Sequence, residues 1–62
     1  MSRPKFSYAE TGYFLLVAYA GCDSLHADVH AARVAEESRG WVLLWARVKT
    51  DSGCMVFERK GA

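Results

Sequence analysis

From Trp41 to Lys49 the side chains alternate with a period of two, and both phases of the alternation are largely apolar. Val42, Leu44, Ala46 and Val48 make one aliphatic stripe. Trp41, Leu43 and Trp45 make the other, which runs on into Arg47 and Lys49. A two-residue period is the signature of a β-strand. Cys54 to Lys60 forms a second strand, and Thr50-Asp51-Ser52-Gly53 joins the two as a hairpin in which Gly53 supplies a left-handed residue. With a four-residue loop, Val48 faces Met55 and Ala46 faces Phe57. A loop of Asp51 to Gly53 alone sets Val48 against Val56 and Arg47 against Phe57. The first register separates apolar from polar better and is preferred. It makes Val42, Leu44, Ala46 and Val48, with Met55 and Phe57, the face that meets the helix.

Two further strands precede this hairpin. Phe6 to Glu10 and Tyr13 to Ala20 flank a Thr11-Gly12 turn, and Pro4 holds Arg3 extended. Tyr13 to Tyr19 is aromatic-rich and apolar on both faces, as in a central strand. The alternative is a helix from Tyr8 to Ala20, with Ser7 and Glu10 at capping-box spacing and Gly21 as its stop. Gly12 inside that helix costs about 1 kcal/mol, so the strand reading is taken. Tyr13, Leu15, Val17 and Tyr19 then share one side, and Phe14, Leu16, Ala18 and Ala20 the other.

Asp23 to Arg39 carries a helical period, with Asp23 or Ser24 as the cap and Gly40 as the left-handed terminator. Leu25, Val29 and Ala32 stack, flanked by Ala31 and Ala35. His26, His30, Arg33 and Glu37 line the opposite edge. Glu36 falls near the centre of the apolar stripe and is expected to turn its carboxylate out to water. The predicted fold is α+β: a ββαββ domain over residues 1–62, with a four-stranded, mostly antiparallel sheet and one helix on one face. The alternative is ααββ, with residues 8–20 helical.

Composition narrows the function classes. A chain of 62 residues that is 52% hydrophobic supports one small core and buries only about 60% of its unfolded surface. Eight Lys plus Arg against seven Asp plus Glu leave a net charge of +1, which suits neither a strongly basic nucleic-acid module nor an acidic mimic. Met1 to Lys5 is basic, but the apolar run from Tyr13 to Ala20 is too short to span a bilayer. A cytoplasmic protein without signal peptide or membrane contact is expected. Cys22 and Cys54, with no CxxC, are read as reduced thiols.

Chemistry-bearing motifs are sparse. GxSxG, P-loop and GxGxxG patterns are missing. His26 and His30 stand at i, i+4, a spacing that can hold a metal, but the bland reading of an exposed helix edge, with Arg33 and Glu37 as an ion pair, is preferred. Pairing of Cys54 with a histidine is not indicated by any spacing. The chain is therefore expected to be non-enzymatic and to need no cofactor.

Small alanines on Phe14's side suit the alanine-rich helix, so the tyrosine side is expected to join Trp41, Leu43 and Trp45 on an uncovered face. Trp41, Trp45, Tyr13, Tyr19 and Leu43, with Arg47 and Lys49 at the rim, are the expected partner-binding residues, since Trp, Tyr and Arg concentrate at hot spots. The partner is a protein or a second copy of the chain, as a homodimer. In size and lack of motif the chain resembles small inhibitors encoded by phages and mobile elements, anti-CRISPR proteins among them, which occlude a larger complex. The alternative is single-stranded nucleic-acid binding, with Trp41 and Trp45 stacking on bases and Arg47, Lys49, Arg59 and Lys60 meeting phosphates.

Overall fold

The computed structural model describes residues 4–60, so the extended geometry expected at Arg3 lies outside the described residues. Five elements follow one another: β1 (Lys5–Glu10), β2 (Phe14–Ala20), α1 (Ala27–Ser38), β3 (Trp41–Val48) and β4 (Ser52–Arg59). The strands form one antiparallel sheet in the order β1-β2-β4-β3. This is the predicted ββαββ layout, and it excludes the helical alternative for residues 8–20. The aromatic run is a central strand, paired to β1 on one side and β4 on the other. Because β2 and β3 are both antiparallel to β4, they run parallel to each other. A chain passing between parallel strands has to cross the sheet, and α1 makes that crossing.

The β1–β2 turn is tied by Thr11, whose hydroxyl oxygen accepts from the amide of Phe14 at 3.0 Å. The helix starts later than its period suggests. The Asp23 carboxylate accepts from the amide of Leu25 at 2.9 Å and forms a separate turn, and His26 takes the cap, its Nδ1 accepting from the amide of Asp28 at 3.0 Å. Leu25 consequently stands outside the helix and is 90% exposed, instead of heading the apolar stripe. Gly40 ends the segment at φ 95°, as its position predicts. Arg33 and Glu37 pair at 3.6 Å, again as expected.

Glu36 is a correction. It is 6% exposed and lies in line with Val29 and Ala32, its carboxylate held by Arg39 at 3.2 Å. A buried carboxylate needs a charged partner, and the partner one turn later spares it the turn out to water.

The largest departure from expectation lies in β3. Leu43 pairs with Phe57 and Trp45 with Val56, so Leu44 is an extra residue, a β-bulge. A bulge shifts the phase of alternation by one. Each stripe of the opening pattern is therefore split between two faces. Trp41 and Leu43 lie with Phe57 on the helix side, and Ala46 and Val48 rejoin that side after the bulge. Val42, Leu44, Trp45 and Arg47 lie on the other. The hairpin register also differs from both expected ones: Val48 faces Gly53 and Ala46 faces Met55. The turn is closed by the Lys49 amide donating to the Ser52 carbonyl at 2.9 Å. The shift from the preferred register is two residues, so Met55 and Phe57 keep their predicted place on the helix side.

Leu15, Val17, Tyr19, Met55, Phe57, Trp41 and Val29 make the core, joined by Cys22. The predicted choice of inner face on β2 is thus reversed. The reason is volume. The helix contributes little more than Val29 and Ala32, so the sheet itself has to supply the bulk that fills the core. Leu15, Val17 and Tyr19 do that; Ala18 and Ala20 cannot. Arg59 seals one end. Its guanidinium lies 4.7 Å from the centroid of the Trp41 ring while its Nε donates to the Gly12 carbonyl at 2.9 Å.

Candidate functional site

The face of the sheet opposite α1 is built in rows that the strand register defines. Phe14, Glu58 and Val42 form the first row, on β2, β4 and β3. Ala9, Leu16, Val56 and Trp45 form the second, across all four strands. Ser7, Ala18, Cys54 and Arg47 form the third. Leu44 stands beside the first two rows at the bulge. Among the described residues no helix covers this side. Phe14, Leu16, Val42, Leu44 and Trp45 are each between 39% and 54% exposed. Isolated exposed apolar side chains are ordinary; it is their grouping that makes this face the candidate site.

The face is uneven. Its bulk stands in the first two rows, whereas Ala18, Ala20, Ser52 and Cys54 leave the other end low. A shallow depression of about 320 Å³ lies at the β3–β4 turn end of the sheet, lined from both of its sides by Tyr19, Arg47, Lys49, Ser52, Gly53 and Cys54. Two opposite charges mark the two ends, Glu58 and Arg47, and neither makes an ion pair among the described residues. Four residues of strand separate their rows, about 13 Å at the rise of an extended chain, so they cannot meet within one copy.

Of the expected site residues, Trp45 and Arg47 do share this open face, in adjacent rows. Trp41 and Tyr19 do not: both are core, and Leu43 packs against the core on the same helix side. The bulge removes Trp41 and Leu43 from the site, and the volume demand on β2 removes Tyr19. Tyr13 is exposed in the β1–β2 turn, and Lys49 is exposed in the β3–β4 turn. Phe14, Leu16, Val42, Leu44, Val56 and Glu58 take the vacated roles. The pairing of Phe14 with Leu16 was legible from alternation alone; that theirs is the outer side follows only if bulk is required inside.

Other candidate chemistry is dispersed. The Nδ1 atom of His26 is committed to the helix cap, and no group of three His, Cys, Asp or Glu side chains among the described residues is placed to hold a metal. Between α1 and β3, Val29, His30 and Arg33 face Leu43, Ala46 and Val48 across a cleft of about 190 Å³, below the roughly 300 Å³ at which small-molecule sites begin. No helix of the described residues is long and apolar enough to cross a membrane.

Both cysteines are free, Cys22 buried and Cys54 half-buried. Burial pushes the Cys22 thiol above its ordinary range, helped by the carboxylates of Asp23 and Asp28. The Tyr19 phenol is raised as well, chiefly by burial and then by the neighbouring thiols and Asp23. In the unfolded chain the thiol loses its proton from about pH 8.5 and the phenol from about pH 10, while the folded chain still holds both. Above those values the unfolded state binds fewer protons, so stability falls as pH rises. Urea midpoints are expected to be flat across neutral pH, to decline from about pH 8.5, and to lose the first part of that decline in a Cys22→Ala variant. An unchanged pH profile in that variant would contradict the assignment.

Compared with protein-family models, with curated proteins and with solved structures, the chain matches none.

Proposed function

We propose that this chain is a non-enzymatic protein-binding domain whose contact surface is the open face of the sheet. The observation that carries the reading is the group formed by Phe14, Leu16, Val42, Leu44 and Trp45, left half in water by a sheet whose one helix is on the other side. A small domain has little stability to spare, and covering these side chains adds burial that the chain cannot supply alone. Trp45 is the expected anchor, being a large rigid aromatic flanked by apolar neighbours. Nucleic-acid stacking is supported less well: Trp45 and Arg47 do lie together, but Arg59 sits on the helix side over Trp41, and Glu58 stands among the open-face residues.

Capture experiments test the reading. Tagged wild-type chain and a tagged Trp45→Asp variant are each mixed with untagged chain and with a lysate of the source cell, and retained proteins are identified by mass spectrometry. The wild type is expected to retain a protein, foreign or its own untagged copy, that the variant loses. Equal retention by both refutes the face. Salt-dependent binding of labelled single strands that Trp45→Ala abolishes would replace protein binding with the nucleic-acid reading.

A further inference from the structure

Resting on that reading, we propose that the occupant of the open face is a second copy of this chain, packed face to face as a two-fold β-sandwich. The face is complementary to itself. A two-fold axis parallel to the sheet, perpendicular to the strands and over the Leu16–Val56–Trp45 row lays the first row of each copy on the third row of the other. Phe14 then stands over Ala18, bulk on a low place, at both ends of the interface. Glu58 stands over Cys54, one strand, about 4.8 Å, to the side of the partner's Arg47. Two sheets packed this way are about 10 Å apart, a gap that a glutamate and an arginine side chain span together. The symmetry makes that ion pair twice, from two charges that cannot reach each other within one copy. The middle row meets its own image, with Leu16, Val56 and Trp45 closing an apolar centre. Such an isologous contact is closed, so it ends at two copies and does not grow into a fibre.

A fit in which unlike charges alternate under symmetry yields a stringent test. Arg47→Glu leaves one chain with two acidic positions on the face, and Glu58→Arg leaves another with two basic ones. Both positions are exposed, so neither change disturbs the core, and far-UV circular dichroism checks that each variant is folded. Sedimentation equilibrium is expected to show a dimer for the wild type and a dissociation constant raised about tenfold or more for each variant alone, because like charges now face each other. Mixing the two variants is expected to restore a dimer containing one of each, with two Glu–Arg pairs. The double variant R47E/E58R is expected to dimerise by itself.

A wild-type dimer whose affinity neither variant changes, or failure of the mixture to recover, overturns the proposed arrangement. A wild-type chain that remains monomeric at its highest soluble concentration, yet captures a foreign protein through Trp45, overturns the second copy as occupant and leaves the protein-binding reading standing. A monomer that captures nothing overturns both.

Discussion

Trp41→Ala is expected to unfold a large share of the molecules at 25 °C, while Trp45→Ala leaves them folded. The two residues are four positions apart and would lie on one face of an unbroken strand. The bulge at Leu44 separates them. Trp41 is 4% exposed, in the core and under Arg59; Trp45 is 54% exposed on the open side. Removing a buried tryptophan costs about 3–5 kcal/mol. A chain of 62 residues has a total stability of roughly 3–9 kcal/mol, so the loss is comparable with the whole. Truncating Trp45 exposes no new core and is expected to change the stability of the isolated copy by no more than about 0.5–1 kcal/mol.

Urea unfolding followed by far-UV circular dichroism measures both, at a concentration where association is absent. Fluorescence adds an independent reading, because each variant retains a single indole. Emission from the folded Trp45→Ala chain, in which only Trp41 remains, is expected to be blue-shifted. Emission from Trp41→Phe, reporting Trp45 alone, is expected near that of indole in water. Equal destabilisation by the two alanine substitutions would show that the strand is not bulged as described.

Gly53→Ala is expected to destabilise, against the usual direction for this exchange. Glycine inside a strand is ordinarily unfavourable by roughly 0.5–1 kcal/mol relative to alanine, so the substitution should help wherever there is room. Gly53 has none. It lies opposite Tyr19 on β2 and Val48 on β3. A Cβ there meets the Tyr19 hydroxyl, and lies 2.6 Å from the Tyr19 ring and 2.6 Å from the Arg47 carbonyl oxygen. The carbonyl belongs to the neighbouring strand and cannot swing aside as a side chain can.

Overpacking of this kind costs about 1–3 kcal/mol, which is expected to appear as a lowered urea midpoint with the slope unchanged. In a Tyr19→Leu background the added cost of Gly53→Ala is expected to shrink, since one of the two obstacles is gone; a cost that does not shrink would place the conflict on the Arg47 carbonyl alone. A stabilised Gly53→Ala chain would refute the packing of Tyr19 across Gly53. Gly53, expected as a left-handed turn residue, is thus needed for another reason, because its missing side chain is the space into which Tyr19 fits.

The kind and order of the elements were legible in the chain itself. Local signals set them: the two-residue period of Trp41 to Val48, the helical period ending at Gly40, the turns at Thr11-Gly12 and before Gly53. The arrangement of those elements as a ββαββ sheet with one helix followed from them. The sidedness of the sheet was not legible, and the candidate site depends on sidedness. Alternation tells which side chains share a face but not which face is covered, and in β2 and β3 both faces are apolar. Two non-local facts decided it. One is the volume that Leu15, Val17, Tyr19, Trp41 and Phe57 have to provide beneath a helix with only Val29 and Ala32 to offer. The other is the register imposed by Tyr19 lying across Gly53, with the extra residue Leu44 absorbed as a bulge. An insertion of one residue leaves no mark on composition or local propensity, yet it turns every later side chain of the strand to the opposite face. For that reason two tryptophans that look equivalent in the sequence are, in the folded chain, one a pillar of the core and the other the large aromatic of the exposed face, on its edge strand.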